Sequence, residues 1–205
     1  LLFTALLLLA ACQSADDKRL EQALELAGDN RPELEKVLEH YQHDSLRLAA
    51  AKFLIRNMPG HGSYTGEAIE AYYAEVAPIL LSDSPTAVKE RKMNELFRKY
   101  PPSAIERVQD VQVITADYLI RNIDAAVRDW QEGPFARQVT FDDFCEYLLP
   151  YKCADYQTLD NWRDSLRPIA EGVYEDYPHS RIRQNSAYWA AAAVNDSLGR
   201  LNKVN

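Results

Sequence analysis

Ala116-Asp117-Tyr118-Leu119-Ile120-Arg121-Asn122-Ile123-Asp124-Ala125-Ala126-Val127-Arg128-Asp129-Trp130 is the stretch whose reading decides the fold class. Ala116, Leu119, Ile120, Ile123, Val127 and Trp130 recur at spacings of three and four, which places them on one stripe of an α-helix. Gly133-Pro134 marks where that helix stops. The same period recurs along most of the chain. Toward the N-terminus, Leu20, Ala23, Leu24 and Ala27 form one helical stripe, with Gly28 as its stop. Leu34, Val37, Leu38 and Tyr41 form a second, opened by Asn30 and Pro32. Asp44 caps a third, through Leu48, Ala51, Phe53, Leu54 and Ile55 to about Met58, where Pro59-Gly60-His61-Gly62 ends it. A fourth helix is expected over 67–81, with Pro78 in its last turn. A fifth starts at Ser84-Pro85 and ends before Pro101-Pro102. A short helix is expected after Ser103. Thr140 and Asp143 form a capping box for a helix whose inner face would be Phe144, Tyr147 and Leu148, broken by Pro150. Residues 162–177 and 185–201 complete the helical pattern, and no strand alternation is evident. The expected fold is all-α, an irregular array of antiparallel helices in two lobes, 18–100 and 101–205, with the seam at Pro101-Pro102. No repeat of fixed period underlies it.

Composition agrees with this class and limits the function. Seven glycines are few for 205 residues, and a formal net charge of −8 argues against a nucleic-acid partner, which would want a basic face.

Residues 1–12, Leu-Leu-Phe-Thr-Ala-Leu-Leu-Leu-Leu-Ala-Ala-Cys, carry no charge and are too short to span a bilayer, which needs ~20 residues. Leu9-Ala10-Ala11-Cys12 has the pattern of a bacterial lipobox: two small residues before a cysteine whose thiol takes the lipid. The run is read as a signal segment, and Cys12 as the lipidated residue that attaches the protein to a membrane. Residues 13–17, Gln-Ser-Ala-Asp-Asp, read as a short polar tether. The expected location is the cell envelope, as an outer-membrane lipoprotein that is periplasmic or surface-exposed.

Few residues point to chemistry. Cys145 sits early in a capped helix, where a nucleophile's pKa could be lowered. Yet no histidine lies between His61 and His179, so a buried, inert thiol or a Cys145–Cys153 disulfide is the expectation. His40 and His43 have a zinc-like spacing without a third ligand and read as a solvated helix face. Asp142-Asp143 is explained by capping and the helix dipole. Tyr72, Tyr73, Tyr118, Tyr147, Tyr151, Trp162, Tyr174 and Tyr177 suit either carbohydrate or peptide stacking or an ordinary helical core. No metal or other cofactor is expected.

Ala116 to Asp124 leads to Trp130, then to Thr140-Phe141-Asp142-Asp143-Phe144-Cys145-Glu146-Tyr147-Leu148-Leu149-Pro150-Tyr151-Lys152, and on to Asn161-Trp162-Arg163. With Lys52-Phe53-Leu54-Ile55-Arg56-Asn57-Met58-Pro59 and Tyr64, this order resembles the helical region that precedes the catalytic domain in transglutaminase-like lipoproteins of Bacteroidetes. It departs at Lys152-Cys153, where that family tends to carry Arg and an acidic residue. The resemblance implies a non-catalytic accessory portion. The Cys–His–Asp triad would lie in a domain beyond Asn205, and the ligands would be peptide or peptidoglycan amides. The alternative is a free-standing surface lipoprotein binding a nutrient, glycan or protein. Tyr151, Lys152, Trp162 and Arg163 form the candidate interaction loop, with Lys152 and Arg163 expected to meet carboxylates.

Overall fold

The computed structural model describes residues 14–133, 139–154, 157–164 and 166–168. The expectations for 1–13, 169–205 and His179 lie outside the described residues. Helix α1 (Ala15–Leu26) is followed by α2 (Arg31–His40) and α3 (Ser45–Asn57). Strand β1 (Gly62–Thr65), helices α4 (Glu67–Leu81) and α5 (Thr86–Lys99) and strand β2 (Glu106–Gln109) come next. Helix α6 (Ala116–Glu132) follows, and then a single α-turn, Phe141–Asp143, runs into a π-helical turn, Phe144–Leu148.

One core draws on both halves of the chain. Leu34, Val37, Ile55 and Met58 are buried with Val111, Ile114, Leu119, Ile123, Val127, Phe144 and Leu149. The first turn of α1 pairs with the last turn of α3 (Asp16–Arg56 at 3.0 Å, Arg19–Asn57 at 2.5 Å), so these two helices run antiparallel. Helix α2 caps and clasps α6. Glu33 accepts from the Ala116 N–H at 2.8 Å, and the Tyr41 hydroxyl donates to the Ile120 carbonyl at 3.1 Å. Asn30 reaches across to donate to the carbonyls of Val111 and Ile114. The expected division into lobes at Pro101-Pro102 therefore does not separate two cores, because residues on both sides of it interdigitate.

Pro101-Pro102 marks something else, the return from an inserted arm. Helices α4 and α5 pack on each other, and β1 and β2 pair antiparallel at the arm's base, Gly62 opposite Gln109 and Thr65 opposite Glu106. Gly66 turns the chain from β1 into α4 at φ 90, where a Cβ would also sit 3.0 Å from the Glu106 carboxyl group. The arm has a thin interior of its own, with Ile69, Val76 and Leu96 buried while Tyr73, Leu81 and Phe97 stay exposed. Lys89 is buried and donates to the Leu80 carbonyl at 2.8 Å, satisfying an orphan acceptor at the end of α4.

The class is all-α, with this two-stranded ribbon as its sheet among the described residues. Four details correct the sequence reading. The ribbon was not legible: Glu106, Arg107 and Gln109 are exposed and Val108 half-buried, so β2 carries no apolar alternation, and the short helix expected after Ser103 is reduced to 3₁₀ turns on either side of it, Pro102–Ala104 and Asp110–Gln112. The tether is shorter than 13–17. Ser14 is the N-cap of α1 and forms a capping box with Asp17, so Ala15, Asp16 and Asp17 are helical. Helix α5 begins at Thr86 with Pro85 at its N-cap, and Ser84 makes no side-chain cap there. Finally, the helix after Thr140 turns a different face inward. The Leu149 N–H bonds to the Phe144 carbonyl at 2.9 Å, the i to i+5 spacing of a π turn. Phe144, Cys145 and Leu149 are buried, whereas Tyr147 is 75% exposed and Leu148 40%. Phe144 stacks on Trp130 at 4.5 Å.

Because the core is shared and the arm is thin, Ile123→Ala should lower the free energy of unfolding by about 2–5 kcal/mol. Phe97→Ala on the arm should change it by no more than about 0.5 kcal/mol. Urea titration followed by circular dichroism measures both; equal losses would refute the single-core reading.

Candidate functional site

Strand β2 ends directly in a 3₁₀ turn, Asp110–Gln112, whose first residue has no exposed surface. The Asp110 N–H donates to the His61 carbonyl at 3.1 Å, which fixes the turn against the entry to β1. Its carboxylate then meets three donors. The Ser63 hydroxyl, from β1, donates to Oδ1; the Tyr151 hydroxyl reaches Oδ2 at 2.7 Å; and the Lys152 ammonium lies 2.5 Å from Oδ2. Lys152 also donates to the Gly62 carbonyl at 2.7 Å, and its side chain is 7% exposed. A buried charge pair of this kind persists only where further hydrogen bonds offset the desolvation of both ions. Here Ser63, Tyr151 and Gly62 do that.

The loop that carries Tyr151 and Lys152 is held from its other side by a collar of side chains. Asn122, buried on α6, donates to the Leu149 carbonyl at 2.9 Å. Arg163 donates through Nε to Asn122 Oδ1 at 2.7 Å, and through Nη2 to the Leu148 carbonyl and to the Pro150 carbonyl at 2.9 Å. The Tyr118 hydroxyl and the Trp162 indole N–H both donate to the Tyr151 carbonyl at 2.8 Å. Four carbonyls freed by the π turn and by Pro150 thus find donors. Burial pulls the Arg163 guanidinium below its ordinary value and raises the Tyr118 hydroxyl above its own. Arg163 also lies over the Trp162 ring at 4.5 Å.

The four residues of the expected interaction loop, Tyr151, Lys152, Trp162 and Arg163, do come together, but they face inward. Lys152 is spent on Asp110, and Arg163 on backbone carbonyls and Asn122. Neither stands ready for a ligand's carboxylate, because the chain's own freed acceptors compete for them at closer range. Ser63 and Asp110 escaped the sequence reading. Ser63 follows a glycine pair read as a helix stop. The one signal for Asp110 is its place in Val108-Gln109-Asp110-Val111-Gln112-Val113, a lone acid among three valines and two glutamines.

Cys145 and Cys153 are free thiols, so the disulfide alternative is not formed. Cys145 points into the core from the π turn and is 2% exposed, whereas Cys153 lies beyond the Pro150 break and is exposed. Burial, reinforced by the nearby Asp142 carboxylate, pushes the Cys145 thiol up to about 11. Residues Cys145 and Cys153 are on the lining of a cavity of about 550 Å³, together with Phe53, Asn57, His61 and Pro150. A second cavity of about 470 Å³ adjoins it across Phe53, Cys145 and Glu146, with Lys52, Arg56, Asp142 and Tyr147 on its walls. The two make one groove between α3 and residues 141–154. His40 and His43 are exposed on the surface, and among the described residues no cluster of His, Cys, Asp and Glu is arranged to hold a metal. Comparison with known proteins finds no matching family model, no matching curated protein and no matching solved structure.

Removing one member of the buried pair tests its role. Asp110→Asn strands the Lys152 charge and should cost about 3–5 kcal/mol of stability. Tyr151→Phe, which removes one hydrogen bond to the same carboxylate, should cost about 1–3 kcal/mol. Denaturant midpoints report both. If Asp110→Asn lost less than Tyr151→Phe, the ion pair would not be what holds the loop.

Proposed function

We propose that this chain is the non-catalytic helical portion of a cell-envelope lipoprotein of the transglutaminase-like class, attached to the membrane by lipid on Cys12. The observation that carries the non-catalytic reading is the state of Cys145. A thiol pushed up to about 11 by burial is almost wholly protonated near neutral pH, and the thiolate is the nucleophile. In the other conspicuous polar cluster, Ser63, Tyr151 and Lys152 all bond to the Asp110 carboxylate and hold the loop. The lipobox-like Leu9-Ala10-Ala11-Cys12 supports the anchor, and the order of motifs from Lys52 to Arg163 supports the class. In this reading the module positions a hydrolytic centre that acts on peptide or peptidoglycan amides.

A second reading has one observation in its favour. The groove between α3 and residues 141–154 sets Lys52 and Arg56 opposite Asp142, Asp143 and Glu146, with Phe53 and Tyr147 beside them. Such mixed walls suit a zwitterionic peptide, as a free-standing binding lipoprotein would require. Titrating the Cys12→Ala protein with muropeptides separates the two readings. Saturable binding that Lys52→Glu weakens favours the second, and no binding favours the first.

Two further outcomes are expected. Cys12→Ala should abolish labelling with a fatty-acid analogue and release the protein from the membrane fraction; continued labelling would refute the anchor. Alkylation of Cys145 should be slow at pH 7 and speed up as pH rises toward 11, because a raised pKa leaves the thiolate scarce below it. Cys153, exposed, should react first. Rapid neutral-pH alkylation of Cys145 in the folded protein would revive a cysteine-enzyme reading.

A further inference from the structure

The capping box at Ser14 leaves almost no slack between Cys12 and the folded body. One residue, Gln13, separates Cys12 from Ser14, and three peptide units span at most about 11 Å from Cys12 to the first helical residue, Ala15. Helix α1 cannot swing away from the body to lengthen that reach. Its first turn is bound to the end of α3 through Asp16–Arg56 at 3.0 Å and Arg19–Asn57 at 2.5 Å, and Leu24 and Ala27 are buried in the core. A lipid on Cys12 would therefore fix which end of the molecule meets the bilayer. That end includes Lys18 and Arg19 on α1, Lys52, Phe53 and Arg56 on α3, and the groove beside them.

We infer that this end of the fold, from the start of α1 across Arg56 and Lys52 to Tyr147 and Leu148 on the π turn, is a membrane-docking face that rests on the leaflet holding the Cys12 lipid. The inference rests on the lipidated reading of Cys12 and goes further by assigning a surface and an orientation. The face carries acids as well as bases, Asp16 and Asp17 on α1 and Asp142, Asp143 and Glu146 across the groove, so what it offers a headgroup layer is its exposed aromatic and apolar edge and not a net positive charge. Tyr147 shares its cavity wall with Lys52 and Arg56 and is 75% exposed, and Leu148 beside it is 40% exposed. An aromatic side chain with an apolar body and a polar tip is the type that settles at a membrane interface. The heads of Arg19 and Arg56 are held by Asn57 and Asp16, so it is the stems of Lys18 and Lys52 that can lie along the apolar boundary with their charged ends toward phosphates. The π turn explains why Leu148 is turned partly outward. Had the segment stayed α-helical, Leu148 would follow Phe144 and Cys145 into the core and the face would lose its apolar edge.

The test uses the lipidated full chain in vesicles of phosphatidylethanolamine and phosphatidylglycerol. Tyr147→Cys and Leu26→Cys are made in a Cys153→Ser background. Leu26 is 51% exposed at the far end of α1, about 16 Å along the same helix from Ala15. A charged, membrane-impermeant maleimide should label Tyr147→Cys about tenfold more slowly on vesicles than in the soluble Cys12→Ala form, a factor equal to about 1.4 kcal/mol of protection. Leu26→Cys should label equally in both. Inserting about 20 Gly and Ser residues between Gln13 and Ser14, with a mean reach of about 25 Å, should restore labelling of Tyr147→Cys. Vesicle attachment with unchanged labelling at Tyr147→Cys overturns the docking face and leaves the lipid anchor standing. Failure to attach overturns both.

Discussion

Asp110 is the point on which the base of the arm and the loop after the π turn converge. Its carboxylate has no exposed surface, so its charge must be answered from within the protein. Ser63 answers from β1, while Tyr151 and Lys152 answer from the loop after the π turn. The interaction therefore ties together segments more than forty positions apart along the chain. It also sets where the arm departs, since β1 and β2 flank Asp110 directly. An ion pair so deeply buried adds little net stability compared with an apolar replacement, but it tolerates the loss of neither partner. That asymmetry makes it a device for specifying one arrangement of strand, turn and loop.

The collar around residues 148–151 follows from the same constraint. Pro150 supplies no N–H, and the π turn shifts the hydrogen-bond register by one residue, so several carbonyls lose their helical donors. Tyr118 and Asn122 from α6, and Trp162 and Arg163 from the segment beyond the loop, replace those donors. Arg163 is well suited to this, because its planar fork can serve two carbonyls and an amide oxygen at once. The described polar side chains of this loop are thus engaged with the protein's own groups, Lys152 with Asp110 and the loop carbonyls with α6 and residues 162–163. What faces outward is instead the apolar pair Tyr147 and Leu148, beside a groove whose walls carry both signs of charge.

A second consequence concerns how the body is joined to what precedes it. The Ser14–Asp17 capping box starts α1 as early as the sequence allows, and α3 holds that first turn in place. If Cys12 carries a lipid, as proposed, the three peptide units between it and the helix could not extend beyond about 11 Å, and the fold would then limit how the body lies on its membrane.

Much of this molecule was legible along the chain. Helical periodicity identified α1 to α6, because each buries one stripe against a common core and the 3.6-residue period survives in the order of Leu119, Ile123 and Val127. The ribbon was not legible, as β2 is half-solvated and lacks alternation. Neither was the face of the segment after Thr140, because a π turn is a one-residue insertion in the hydrogen-bond ladder that leaves no compositional mark. By itself the sequence determined the all-α class, the helix ends at Gly28, Met58 and Gly133, and the grouping of Tyr151, Lys152, Trp162 and Arg163 in one place. Only the tertiary structure decided that this group turns inward and that both halves of the chain share a core. The reason is physical: local patterns report which side of a helix is apolar, whereas the partner of a buried charge such as Lys152 is set by whatever acceptor folding brings within 3 Å, here Asp110.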